Sequence, residues 1–247
     1  MKNIKYLLFL FALNVCLSAQ AEISYSRELE EIFSKLDNMI LQREEYRLKK
    51  EERIKMLRNR IDMRASLEER FHTNKVLYEE YYVYNADSAM AYVTENLRIA
   101  SLLKRKDWEY TWKINKSFLL SATGLLKEAE EEMRGIPVHE LSDNVKVDYY
   151  SQMQYLFSHF GQYTGSESEA VQRGYLDKEL LYRDSVYMVA RPDHPLYLWY
   201  KGCKIQYDGV DSMRVVIPEL QQAIQSSTLE SRYDAMNAYI LGSIYSP

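Results

Sequence analysis

Gly124 is the first glycine in the chain, and no proline precedes it. β-Sandwiches and βαβ folds need frequent turns, and Gly and Pro supply most of the backbone conformations that turns demand. A first half lacking both is therefore predicted to be helical. The full chain of 247 residues holds only 8 Gly and 5 Pro, roughly half the average share. A hydrophobic content of 47% with 28% charged residues gives enough apolar surface to build a core, which excludes a disordered chain.

Residues 1–21 read as an export signal. Lys2 and Lys5 precede an apolar run from Tyr6 to Leu17, broken only by Asn14, and Ala19 and Ala21 frame a small-x-small cleavage pattern. Twelve helical residues rise about 18 Å, short of the roughly 30 Å hydrocarbon core of a bilayer, which disfavours a permanent span. A lipid anchor would need a small residue before Cys16, where Val15 stands. An exported, periplasmic location is the expectation.

Cleavage removes Lys2 and Lys5 and leaves 30 basic residues against 36 acidic ones, a net charge of −6. The signs are interleaved along the chain, so the phosphate-tracking surface of a nucleic-acid binder is not expected. Cys203 is the one cysteine left after cleavage, so no internal disulfide can staple the fold.

Within residues 22–64, Leu29, Ile32, Phe33, Leu36 and Ile40 recur at helical spacing, then nine of the twelve residues from Gln42 to Arg53 are charged. Ile54, Leu57 and Ile61 resume the apolar spacing. This pattern predicts a helical hairpin with a break near Glu45, with a single long helix or coiled coil as the alternative. Opposite charges one turn apart, such as Glu45 and Lys49, suit a solvated face.

Residues 65–247 read as divergent tetratricopeptide-like (TPR-like) repeats, an all-α solenoid of antiparallel helix pairs. In Leu241-Gly242-Ser243-Ile244-Tyr245, preceded by Ala238, a Leu-Gly pair is followed by Tyr at the spacing of a first repeat helix. Gly242 is predicted to let a partner helix approach closely. The same register puts Gly202 and Ser117 at the small position of earlier units, with Gly124 in a turn, Ala129 at the small position of a second helix, and Ala89 at that of the unit before. Intervals of 37 to 48 residues separate the matching positions, all above the standard period of about 34. A long second helix is predicted between Tyr163 and Ala190. An irregular α-bundle is the alternative. The last unit holds a first helix only, and truncation of a longer protein is the favoured explanation.

The signal peptide, Leu36-Asp37 through Arg43, Tyr46, Lys50-Glu51, Arg53-Ile54, Asp87-Ser88-Ala89 and Gly124-Leu125-Leu126-Lys127-Glu128-Ala129 together resemble a family of exported bacterial regulators. Those proteins carry a periplasmic TPR-like region, one transmembrane helix and a cytoplasmic helical, DNA-binding segment. The resemblance implies a sensor region whose membrane helix and output segment lie outside this chain.

Motifs of chemistry are scarce. His72, His139, His159 and His194 are far apart, and neither a His-Glu-x-x-His nor a paired Cys-x-x-Cys spacing occurs. No nucleophile elbow or phosphate-cradling loop is present, so no metal, no cofactor and no catalysis are expected. Cys203 is expected to be an inert thiol. Asp87, Asp184 and Asp211 each precede a Ser and an apolar residue. Helix capping accounts for the first and last, and an O-glycan acceptor is the alternative.

Aromatic composition is the informative remainder, with 22 Tyr, 7 Phe and 3 Trp. Solenoids bind along the face formed by the first helix of each pair. The repeat register puts Ile114, Phe118, Ser151, Tyr155, Trp199 and Cys203 on that face, with Tyr207 one turn on and Trp108 and Trp112 beside them. These residues are the candidate groove, predicted to hold a protein, a peptide or a glycan. Two functions stay open: the sensing and interaction module of a membrane-tethered regulator, or a free-standing secreted scaffold or chaperone-like adaptor.

Overall fold

The computed structural model describes residues 27–59, 65–164, 168–208, 210–226 and 232–245. The export signal with Ala19 and Ala21 lies outside them. The described residues form eleven α-helices, one 3-10 turn and no strand, in two compact units, residues 1–55 and 56–247.

In the first unit lies α1 (Arg27–Leu41), and α2 (Arg43–Asn59) begins there. The expected hairpin break near Glu45 does not form. Gln42 N–H donates to the Asn38 carbonyl and Tyr46 N–H to that of Gln42, each at 3.1 Å, so helical hydrogen bonding runs through the interruption. With no glycine or proline to stop it, the charged stretch stays helical and gains i,i+3 and i,i+4 pairs such as Arg47–Glu44 and Lys49–Glu45.

The second unit is the solenoid. Its helices are α3 (Leu67–Tyr81), α4 (Ala86–Leu102), α5 (Lys106–Ala122), α6 (Leu126–Met133), α7 (Asp143–Tyr163), α8 (Glu169–Val189), α9 (Tyr197–Asp208), α10 (Val210–Ser226) and α11 (Arg232–Tyr245). Contacts run between consecutive helices, and between α5 and α7 and between α9 and α11. That neighbour-to-neighbour order distinguishes a solenoid from a bundle around one core. The all-α, TPR-like expectation is met, and the long helix predicted before Ala190 is α8.

Local chemistry sets the boundaries. Ser66 and Glu69 form a reciprocal capping box that starts α3. The cap of α4 is Asn85, whose side chain accepts from Ser88 N–H at 2.8 Å, so the capping role predicted for Asp87 belongs two residues earlier. Two turns share one design. Arg105 N–H reaches back to the Ala100 carbonyl and Leu125 N–H to that of Leu120, both at 2.9 Å. The residue before each is left-handed, Lys104 with φ 54° and Gly124 with φ 85°.

Each helix pair is clasped by a donor on its first helix and a glutamate on its second. Arg70 meets Glu95, Lys116 meets Glu132, Gln154 donates to Glu179, and Lys201 meets Glu219. Partly exposed pairs of this kind add little stability, so their chief effect is to set the register of each hairpin. The core is layered between pairs. Ile114, Met133, Met153 and Phe157 fill one layer, Val147, Val186, Leu196 and Tyr200 the next, and Val216, Leu220 and Ile240 the last.

Candidate functional site

Along the first helices of the solenoid runs a ladder of rings. Tyr78 stacks on Tyr82, just past the end of α3, with centroids 5.5 Å apart. Tyr82 meets Phe118 of α5 at 5.8 Å, Phe118 meets Tyr155 of α7 at 5.4 Å, and Tyr155 meets His159 at 4.1 Å. Tyr78 is buried and the other four rings are half-buried. His159 Nδ1 lies 2.9 Å from the Tyr155 carbonyl. A carbonyl can only accept, so Nδ1 is the donor in this contact.

Arg232, the first residue of α11, lies across the ladder. Its guanidinium sits 5.4 Å from the Tyr82 ring and 5.3 Å from the Phe118 ring, and Nη1 donates to the Tyr82 hydroxyl at 3.3 Å. A residue of the last first-helix thus touches the first one, so this face curves inward. Asp148 of α7 faces the same hollow. It is exposed to solvent, yet the density of protein around it raises its carboxyl from the ordinary 3.8 to about 6, a rise that Lys75 only partly offsets. Burial also raises the Tyr155 and Tyr233 hydroxyls, with Arg232 opposing both.

The predicted groove residues divide. Phe118 and Tyr155 are in the ladder. Trp112 and Ile114 are core instead, 1% and 4% exposed. Trp112 meets Phe71 and Tyr78 edge-on at 5.8 Å and 5.1 Å, because its position points it at the neighbouring pair rather than at solvent. Trp108 stacks on Phe71 at 3.8 Å. The half-buried Ser151 shares a 2.8 Å hydrogen bond with the Tyr200 hydroxyl. Half-buried Trp199 packs on two core layers and meets Tyr239 of α11 at 5.9 Å. Cys203 packs against the last layer, and burial pushes its thiol up to about 12, away from the reactive thiolate. The side chain of Tyr207 lies outside the described residues.

The predicted packing residues divide as well. Ala89 and Ala129 are fully buried, and the buried Ser117 Oγ donates to the Ala129 carbonyl at 2.9 Å. Gly202 is a true close approach, since a Cβ there would lie 2.8 Å from Ile240 Cγ1. Its neighbour is α11, not its own hairpin partner α10. A Cβ at Gly242 would meet no atom within 4 Å among the described residues, so the predicted close approach is not made there. Ala238 and Tyr245 are exposed, while Leu241 is half-buried against the core layer of Val216, Leu220 and Ile240. In α11 the buried positions are Asn237 and Ile240, one residue out of the predicted register.

Sequence reasoning missed Asp148, His159 and Arg232. The first two continue the inward face already marked by Ser151 and Tyr155 at steps of three and four. Arg232 gives no local signal, because its contacts cross 150 residues of chain. Among the described residues, no three His, Cys, Asp or Glu groups are placed to hold a metal ion, and no helix is long and apolar enough to cross a membrane.

The family model described as SusR N-terminal TPR domain matches residues 40–247. The chain belongs to that family. The match takes in every helix of the solenoid, and it makes the SusR-type repeat region the N-terminal part of a TPR-like regulator. A domain of this kind is a protein-interaction module. No curated protein and no solved structure matches the chain.

Proposed function

We propose that the solenoid is the periplasmic sensing and interaction module of a membrane-tethered regulator. It holds a peptide, protein or glycan segment along the first-helix face, with no catalysis, cofactor or nucleic-acid contact of its own. The observation that carries this reading is the ladder of half-buried rings contributed by three consecutive first helices, since aromatic surface left open in a hollow favours a ligand over water. Export rests on residues 1–21, and membrane attachment is assigned to a segment outside this chain. Occupancy would act by shifting how adjacent pairs stack.

A photo-crosslinking residue at position 118 tests the reading, with position 188 as control, because Met188 on the second helix α8 is 83% exposed. In cells, crosslinks to one periplasmic species at 118 and not at 188 are expected. Equal labelling at both positions would rule out the face as the binding surface.

A further inference from the structure

Arg232 is poorly explained by the helix it begins. The first turn of a helix carries partial positive charge and disfavours a cation. Asp234 suits that end of α11, whereas Arg232 does not. Among the described residues, no carboxylate lies within salt-bridge distance of its guanidinium. What it touches instead is the ladder: two ring faces and one hydroxyl.

The ladder has the chemistry of a cation site. Aromatic faces attract guanidinium groups, and more strongly where water is excluded. The carboxylates of Asp148 and Glu79 act on Tyr78 and Tyr233, the tyrosines that Arg232 also acts on. Lys75 pairs with Glu79 at 3.9 Å, so Asp148 is the carboxylate at this spot without an ion pair among the described residues. The mature chain is also net negative. Yet the internal cation is loosely held. Arg232 is exposed, and its hydrogen bond is long at 3.3 Å.

We propose that the Tyr82–Phe118–Tyr155 ladder is a recognition site for an arginine side chain of a peptide or protein ligand, and that Arg232 is the internal stand-in it displaces. This rests on the groove reading above and names the ligand chemistry. Because the stand-in competes for the same rings, the apparent affinity of wild type is reduced by the fraction of molecules in which Arg232 occupies them.

The mature full chain and its Arg232→Ala variant are titrated by NMR with the peptide acetyl-Ala-Gly-Arg-Gly-Ala-amide and with its neutral citrulline counterpart. Expected is binding of the arginine peptide about tenfold tighter to Arg232→Ala than to wild type, with the citrulline peptide at least tenfold weaker. Phe118→Leu in the Arg232→Ala background should abolish the difference, with circular dichroism confirming that both variants stay folded. Equal affinity for the two peptides, or no arginine binding by Arg232→Ala, overturns the proposal. If position 118 still crosslinks a periplasmic species in that case, the groove stands and the ligand chemistry is wrong; if crosslinking also fails, the groove reading falls with it.

Discussion

Two joints of the solenoid hold neighbouring pairs together by opposite means. Between α5, α6 and α7 the contact is a closed polar network. Gln152 Nε2 donates to Ser117 Oγ at 2.9 Å and to Ser121 Oγ at 3.0 Å, while the two serines donate to the carbonyls of Ala129 and Ser117. Between α9, α10 and α11 the contact is shape: Gly202 receives Ile240, with Val216 and Leu220 behind it. There the buried Asn237 Oδ1 has no hydrogen-bond partner among the described residues. A satisfied buried network fixes one geometry, because any shift leaves a polar atom unpaired. An apolar fit tolerates small displacement at lower cost. The joint that carries Arg232 is thus the more yielding of the two, which suits a helix whose first residue is a displaceable competitor.

Filling the apolar joint should give the largest effect. A side chain at position 202 must push against Ile240 close to its backbone, at an overpacking cost of up to about 3 kcal/mol. The gain in helix propensity over glycine returns about 1 kcal/mol. Gly202→Leu is therefore expected to lose about 2 kcal/mol in urea unfolding, with added hydrogen exchange confined to α11. Pairing it with Ile240→Ala should cost less than the sum of the two single changes. Additive costs would mean that the close approach does not define this joint.

Opening the polar joint should cost somewhat less. Gln152→Leu keeps most of the volume and leaves both serine hydroxyls still donating, so about 1.5 kcal/mol is expected for their unpaired acceptor sites. Its distinguishing mark is uniqueness of structure. Broadened amide signals in α5 and α7 are expected, whereas Gly202→Leu should leave those helices sharp. A sharp spectrum for Gln152→Leu would show that the network adds stability without fixing geometry.

The two joints were unequally legible in the sequence. Ser117, Ala129 and Ala89 stood out because small residues recur where helices of one pair cross, and Gly124 because a left-handed turn favours glycine. Lys104 takes the same conformation and gave no such sign. Gly202 was visible as a small residue, but its partner was not, since spacing along one helix cannot say which neighbour it meets. The register at Leu241–Tyr245 misled because Leu, Ile and Tyr fall on several faces of α11, and tertiary contact with Gly202 selects Ile240. Trp112 misled for a related reason. Repeat position marks a direction, and only the tilt of the neighbouring pair decides whether that direction meets solvent or Phe71.

Asp148 offers the smallest effect and links the two joints, since it stands on α7 and faces the start of α11. The charged group that acts on it is Lys75 of α3, and it acts in turn on Tyr78 of α3 and Tyr233 of α11, as Glu79 and Arg232 also do. A carboxyl raised from 3.8 to about 6 in the folded chain holds its proton at pH values where the unfolded chain has lost it. Folding stability from this group is therefore lost as pH rises from about 4 to about 6 and stays lost above that. Asp148→Asn removes the titration, so the variant should be more stable than wild type at pH 7.5, by about 1 kcal/mol or less after allowance for solvent contact. The advantage should shrink through pH 5 and vanish by pH 4, with Glu79→Gln as a control carboxylate on α3. In the Arg232→Ala background the same change should also weaken arginine-peptide binding at pH 7.5. A stability difference that ignores pH would show that Asp148 is an ordinary surface carboxylate, and the hollow would lose its acidic character.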